Sequence, residues 1–190
     1  MTKKKISNFE YFFAIYLIFI CVCSFYFMRT TYLNEANNSV AEWIINYQGG
    51  FIRRGLAGEI FAKISLFFEV PLRDIILYFL YAIFIIYYLS IFVFFRNFKN
   101  NYLIIFAILS PLFLIWPIAE REALGRKDIL ILTSFIIFCS FFKYINLRNS
   151  YLLFTLIYTP IILIHEIAIF YLPFFFIVIF FKILKFSIKE

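Results

Sequence analysis

Apolar runs recur from one end of this 190-residue chain to the other, and the longest exceed the roughly 18 residues that a helix needs to cross a hydrocarbon core about 30 Å thick. In such a solvent every backbone N–H and C=O must find its partner within the protein, so the runs demand helices that satisfy themselves. Spans are read near 9–28, 74–95, 102–118, 129–147, 151–164 and 167–184, with short connections apart from the segment 29–73. At 65% hydrophobic and 24% aromatic residues, with a mean hydropathy of +0.94, the composition lies well outside that of soluble domains. The expected fold is therefore all-α: a single membrane domain over residues 1–190, a polytopic bundle of about six transmembrane helices with one interfacial helix on its outer face. The first run has no small-residue cleavage site of the A-x-A kind and reads as a retained span. Cys21, Cys23 and Cys139 all fall in apolar runs and read as packing residues.

Charge placement sets the orientation. With Lys3, Lys4 and Lys5 in the cytoplasm, the inner side also collects Arg96, Lys99, Lys143, Arg148, Lys182, Lys185 and Lys189 against only Glu10 and Glu190. The inner side then carries a net +8 and the outer side −1, the asymmetry of the positive-inside rule. The overall +7 accordingly reports orientation, and nucleic acid is not an expected partner. Both termini are expected in the cytoplasm.

The last apolar stretch, 151–181, would measure about 46 Å as one straight helix, which is too long for one crossing. A break at His165-Glu166 divides it into two short spans and puts that polar pair at the outer surface. A single tilted span would instead bury the pair, where ionisable groups are costly and usually functional.

Three polar clusters interrupt the apolar pattern, and this topology puts all of them on the outer face. The first is "NYQGGFIRRGLAGEIFAKIS", residues 46–65. Read as a helix near 51–69, it gathers Gly55, Gly58, Ala62 and Ser65 on one narrow side, where another helix could approach closely. Leu56, Ile60, Phe61, Ile64, Phe67 and Phe68 form a broad apolar arc suited to the bilayer interface or to the bundle. Glu59 and Lys63 make an i,i+4 pair in the favourable order, and Pro71 is expected to end the helix. Arg53 and Arg54 sit where the helix dipole already disfavours cations, so an anion is expected beside them. A phosphate held near Gly49-Gly50 fits, and so do lipid headgroups or neighbouring acidic side chains.

The second cluster lies in "WPIAEREALGRKDILIL", residues 116–132, where Pro117 limits the third span, Gly125 can stop a helical turn and Asp128 can cap the fourth span. Glu120, Arg121, Glu122, Arg126, Lys127 and Asp128 are more charges than capping requires. The third cluster is His165-Glu166, with the only histidine of the chain; it reads equally as an interfacial polar break and as a functional pair. Arginines can hold phosphate and carboxylates can take a proton from a hydroxyl, so convergence of the three clusters would assemble a site. Neither a P-loop nor GxGxxG, HExxH or CxxC occurs, so ATP-driven transport and zinc proteolysis have no sequence support.

"GGFIRRGLAGE", "GRKD" and "HE", set in this plan of spans, resemble a pattern found in multi-pass proteins of bacterial surface-polysaccharide clusters. The plan is also similar to the N-terminal membrane module of polyprenyl-linked glycosyltransferases of the GT-C type. The resemblance implies a bacterial cytoplasmic (inner) membrane protein, in contact with the lipid bilayer, that transfers a sugar or glycan from a polyprenyl phosphate or diphosphate carrier on the outer face. It implies Glu35 or Glu42 as the base or metal-binding carboxylate of the first outer loop, with Asp128 or Glu122 as the second. A divalent cation is a candidate cofactor, and other membrane subunits are candidate partners. The family's usual Asp soon after the first span is missing, and the length is short for such an enzyme, which points to a truncated chain or a partial module.

On this reading a carboxylate among Glu42, Asp128 and Glu166 deprotonates the acceptor, with His165 beside them, while Arg53, Arg54, Arg126 and Lys127 stabilise the departing phosphate. Two other classes stay open. A lipid-linked glycan flippase or other transporter would line a path through the spans with polar groups, and a non-catalytic assembly subunit would depend on the small-residue face instead of the charges.

Overall fold

The computed structural model describes residues 8–33, 38–50, 52, 54–96, 102–119, 124–142 and 144–187, and among them the regular structure is entirely helical. The helices are α1 (Asn8–Leu33), α2 (Asn38–Ile44), α3 (Leu56–Phe68), α4 (Leu72–Phe95), α5 (Tyr102–Leu109), α6 (Trp116–Ala119), α7 (Asp128–Phe142), α8 (Leu147–Ile164) and α9 (Leu172–Ser187). A π-helical turn, Pro111–Ile115, joins α5 to α6, and a 3₁₀ turn, Glu166–Tyr171, joins α8 to α9. Three helices, α1, α4 and α8, are long and apolar enough to cross a membrane. Length and composition thus suit a helical membrane protein.

Helix α1 shows how such a bundle packs. Phe13, Leu17, Ile20, Ser24 and Met28 recur every three or four residues and are buried, while Phe12, Ile15, Phe19, Val22 and Tyr26 are exposed on the other faces. A helix that is apolar all round but buried on one stripe is solvated by lipid on the rest. The stripe packs antiparallel on α4: Phe13 stacks on Phe92 at 6.0 Å, Phe25 meets Tyr81 at 4.5 Å, and Ser24 Oγ lies 2.8 Å from the Tyr88 hydroxyl. At the far end of the pair the Tyr32 hydroxyl donates to Asp74, and Arg73 donates to the Tyr32 carbonyl at 2.7 Å.

Helix α4 then packs against α7, and α7 against α8. A second apolar core, with Phe138, Tyr158, Ile161, Phe175 and Ile179, joins α7, α8 and α9. Its pairings run antiparallel: the Tyr158 hydroxyl donates to Ala168 O, and Phe154 lies 5.4 Å from Phe175 and 5.8 Å from Phe176. The chain therefore doubles back at His165-Glu166, where His165 adopts an extended conformation between two helical segments.

Several expected boundaries are corrected. The third hydrophobic run, expected as one helix over 102–118, is broken at Ser110-Pro111, and the ladder there shifts to i→i−3 bonds, Ser110 N to Ala107 O at 3.3 Å and Phe113 N to Ser110 O at 3.2 Å. Pro111 has no N–H to continue the α-ladder, whereas Pro117, expected to limit the span, is accommodated in the first turn of α6. Residues 147–150, which the sequence assigns to the end of the fourth span and the connection after it, form the first turn of α8, and α7 stops at Phe142. Helix α3 ends at Phe68 because Glu69 turns left-handed at φ 55°, two residues before Pro71, which instead leads into α4.

Candidate functional site

The C-terminal end of α1 and the N-terminal ends of α3, α4 and α7 lie at the same end of the bundle as the C-terminal end of α8. That alternation brings Arg54, Lys127, Asp128, His165 and Glu166 together, although they are spread over more than a hundred residues of sequence. Arg53, Glu35 and Glu122 lie outside the described residues.

The local folding of the first cluster explains where Arg54 goes. Gly55 precedes α3 and its carbonyl accepts from Glu59 N at 2.9 Å, so Arg54 stands just ahead of the helix. Its guanidinium lies on the Glu166 carboxylate, with Nε 3.0 Å from Oε1 and a closer second contact from the terminal nitrogen. The anion beside this arginine is thus a side chain of the protein, contributed by the 3₁₀ turn after α8. Both side chains remain about one-third exposed. The glycines upstream do not form a close cradle: a Cβ at Gly49 or Gly50 would meet nothing within 4 Å, and Gly50 N is spent on Tyr47 O at 3.0 Å. Gly50 is required by its φ of +114° instead.

The small residues of α3 do allow a close approach, but the partner is the chain leaving α2 and not a neighbouring span. A Cβ at Gly58 would fall 2.0 Å from Ile45 O, and one at Gly55 would fall 2.5 Å from the Tyr47 ring. Glu59 pairs with Lys63 at 3.3 Å, as the spacing requires, and accepts from Tyr47 N at 3.4 Å.

Lys127 occupies the centre. It is fully buried (0% exposed), and Nζ donates to Arg54 O at 3.3 Å and to Ile164 O at 3.2 Å. The ammonium also sits 5.5 Å from the centre of the Trp43 ring, within cation–π range. Burial pushes its pKa down to about 8; the field of Glu42, half-buried on α2, acts in the opposite direction, and Arg54 reinforces the depression. Lys127, expected to meet a phosphate, therefore serves as a fastener that holds the Arg54 segment and the end of α8 on the start of α7.

Asp128, the first residue of α7, directs Oδ1 at His165 Nε2 over 3.1 Å, with Arg126 3.9 Å from its other oxygen. The hydrogen bond from His165 is the main reason that its carboxyl is held below the ordinary range, and it outweighs the opposing effect of burial. His165 itself is 4% exposed, and its Nδ1 is buried with no partner among the described residues. Arg126 is the exposed cation of the group. Among the described residues no group of three or more His, Cys, Asp or Glu side chains stands in metal-holding geometry.

Trp43 was not anticipated from the sequence. It is fully buried, donates from Nε1 to Gly125 O at 2.5 Å and packs on Phe79 at 5.5 Å. Its signal was an aromatic residue beside Glu42 in an otherwise polar connection, while Gly125, with φ +92°, supplies the turn that presents the carbonyl. No protein family, curated protein or solved structure matches this chain.

Proposed function

We propose that this protein is a transferase of surface-polysaccharide or glycolipid biosynthesis, working at the outer face of the bacterial cytoplasmic membrane on a polyprenyl-(di)phosphate-linked sugar or glycan. The reading places six crossings with both termini inside. On it, α3 lies along the outer interface, where its exposed Ile60, Leu66, Phe67 and Phe68 are solvated by lipid.

The observation that carries the proposal is the meeting of the three polar clusters at one end of an otherwise apolar bundle, with cations and proton-accepting groups side by side. Lipid-linked glycosyl transfer asks for that combination at a membrane surface: a base for the acceptor hydroxyl, and positive charge for the phosphate that departs. Arg126, exposed, and Arg54, able to exchange Glu166 for a phosphate, are the cations within reach of such a substrate. Lys127 contributes through its position, and Glu42 through its field on Lys127.

In a strain lacking the native gene and complemented in turn by each variant, replacing Arg54 and Arg126 together by alanine should abolish the surface glycan while membrane insertion persists. A normal glycan in that double variant would remove the transferase reading. An assembly subunit without chemistry is the second reading, favoured by the close seat of α3, where a Cβ at Gly58 would fall 2.0 Å from Ile45 O. It expects Gly58→Leu to harm the glycan more than the double variant does.

A further inference from the structure

We infer that His165 Nδ1 is the atom that takes the proton of the acceptor hydroxyl, with Asp128 as the residue that positions the ring. The inference rests on the transferase reading and moves the base from the carboxylates to the imidazole.

Three of the carboxylates near the site are paired in the structure: Glu166 with Arg54, Glu59 with Lys63, and Asp128 with His165. Glu42 lies in the field of the Lys127 ammonium. A carboxylate involved in a short charge-assisted pair is a weaker base than a solvated one, because the pair stabilises its ionised form. The imidazole is placed differently. Its backbone is fixed on both sides, by His165 N donating to Ile161 O at 2.8 Å and by Ala168 N donating to His165 O at 3.0 Å. Its Nε2 faces an ionised carboxylate, which can only accept, so Nε2 carries the hydrogen. A neutral imidazole with the hydrogen on Nε2 has its bare lone pair on Nδ1.

That lone pair is buried and, among the described residues, receives no donor. Leaving a buried acceptor unmet costs about 1–3 kcal/mol, and an apolar side chain of similar size would avoid the cost. A hydroxyl donor supplied from outside resolves it, and the acceptor of a glycosyl transfer is such a donor. Glu166, the next residue, is one-third exposed. The charged groups of the cluster that holds the ring are Asp128 and Arg126 from the start of α7, the Arg54–Glu166 pair, and Lys127, whose Nζ donates to the carbonyl of the preceding Ile164 at 3.2 Å.

The step balances without any further reactant. The acceptor O–H bond breaks and its proton moves to Nδ1, forming an imidazolium that the Asp128 carboxylate stabilises. The acceptor oxygen bonds to the anomeric carbon as the bond from that carbon to the carrier's phosphate oxygen breaks. The electron pair leaves on the phosphate, beside the arginines, and the imidazolium later returns its proton to solvent.

Because the chain contains a single histidine, the test is direct. The full chain, labelled with [15N]histidine and reconstituted in lipid nanodiscs, gives one pair of ring nitrogen signals. We expect the hydrogen on Nε2, a bare Nδ1, and acylation of Nδ1 by diethyl pyrocarbonate in proportion to reagent. Asp128→Asn should mix the two tautomers and slow that acylation several-fold. A hydrogen found on Nδ1, or an Nδ1 that the reagent never reaches, overturns the inference. Either result is independent of the glycan measured in the Arg54 and Arg126 variants, so failure of the base and failure of the transferase reading are distinguishable.

Discussion

Lys127 illustrates how a single residue can carry both the assembly of a site and a cost to the fold. Its ammonium makes two hydrogen bonds to main-chain carbonyls and faces an aromatic ring, yet burial still lowers its pKa from 10.5 to about 8. The lowered value means that the folded chain disfavours the charged form relative to the unfolded chain. Between pH about 8 and about 10.5 the unfolded chain holds a proton that the folded chain has released, so stability should rise with pH across that window, by up to about 3 kcal/mol. Circular dichroism melts in detergent at a series of pH values should show this rise in the wild type. In Lys127→Met the contribution of this residue to the slope should vanish, and an identical slope in the variant would place the titration elsewhere. Relative to wild type the variant should be least stable above pH about 10.5, where the wild type has shed the buried charge and its neutral amine still serves the carbonyls of Arg54 and Ile164.

Among the elements, α3 and the α8–α9 hairpin decide where the polar residues stand. Helix α3 is seated by the absence of a side chain at Gly58, where an added methyl would have to occupy the place of the Ile45 carbonyl. Backbone cannot yield as a flexible side chain can, so Gly58→Ala should cost about 1–3 kcal/mol, the range for overpacking a tight contact. A thermal melt that matches wild type would mean that the approach of α3 to the end of α2 is looser than the geometry requires. The periodicity of α3 was legible because glycines at i and i+3 beside an apolar arc admit few alternatives. The partner of that small face was not, because any backbone within reach could have filled it. The hairpin was legible for a different reason: an apolar stretch too long for one crossing must turn, and His165-Glu166 was the sole ionisable interruption. Nothing in the sequence marked the break at Ser110-Pro111 as more probable than one at Pro117, since each proline removes one donor and only packing decides which gap is tolerated.

For the whole molecule, alternation of antiparallel helices puts the candidate site at one end and the α7–α8 turn at the other. The orientation can be read with an impermeant thiol reagent in a background lacking Cys21, Cys23 and Cys139. Gln48→Cys and Arg126→Cys, both exposed at the site end, should label in intact cells; Tyr144→Cys, exposed at the opposite end, should label only after the membrane is opened. Labelling of position 144 from outside would invert the molecule and put the site in the cytoplasm.

What the sequence determined by itself is the kind of solvent this chain needs and the end to which its charges go. Hydrocarbon accepts only self-satisfied helices, and each crossing moves the next polar segment to the opposite side, so a count of apolar runs carries Arg54, Asp128 and His165 to one face without any knowledge of their contacts. Which partner each charge takes was decided only by tertiary structure. Residue 54 meets residue 166, residue 127 caps the carbonyls of residues 54 and 164, and residue 128 meets residue 165, through distances of a few ångströms that depend on how α3, α7 and α8 pack. Burial separates the roles of adjacent cations in the same way: Arg126 faces outward and Lys127 is enclosed beneath Trp43, a difference that follows from the turn at Gly125 and that no property of either residue alone would reveal.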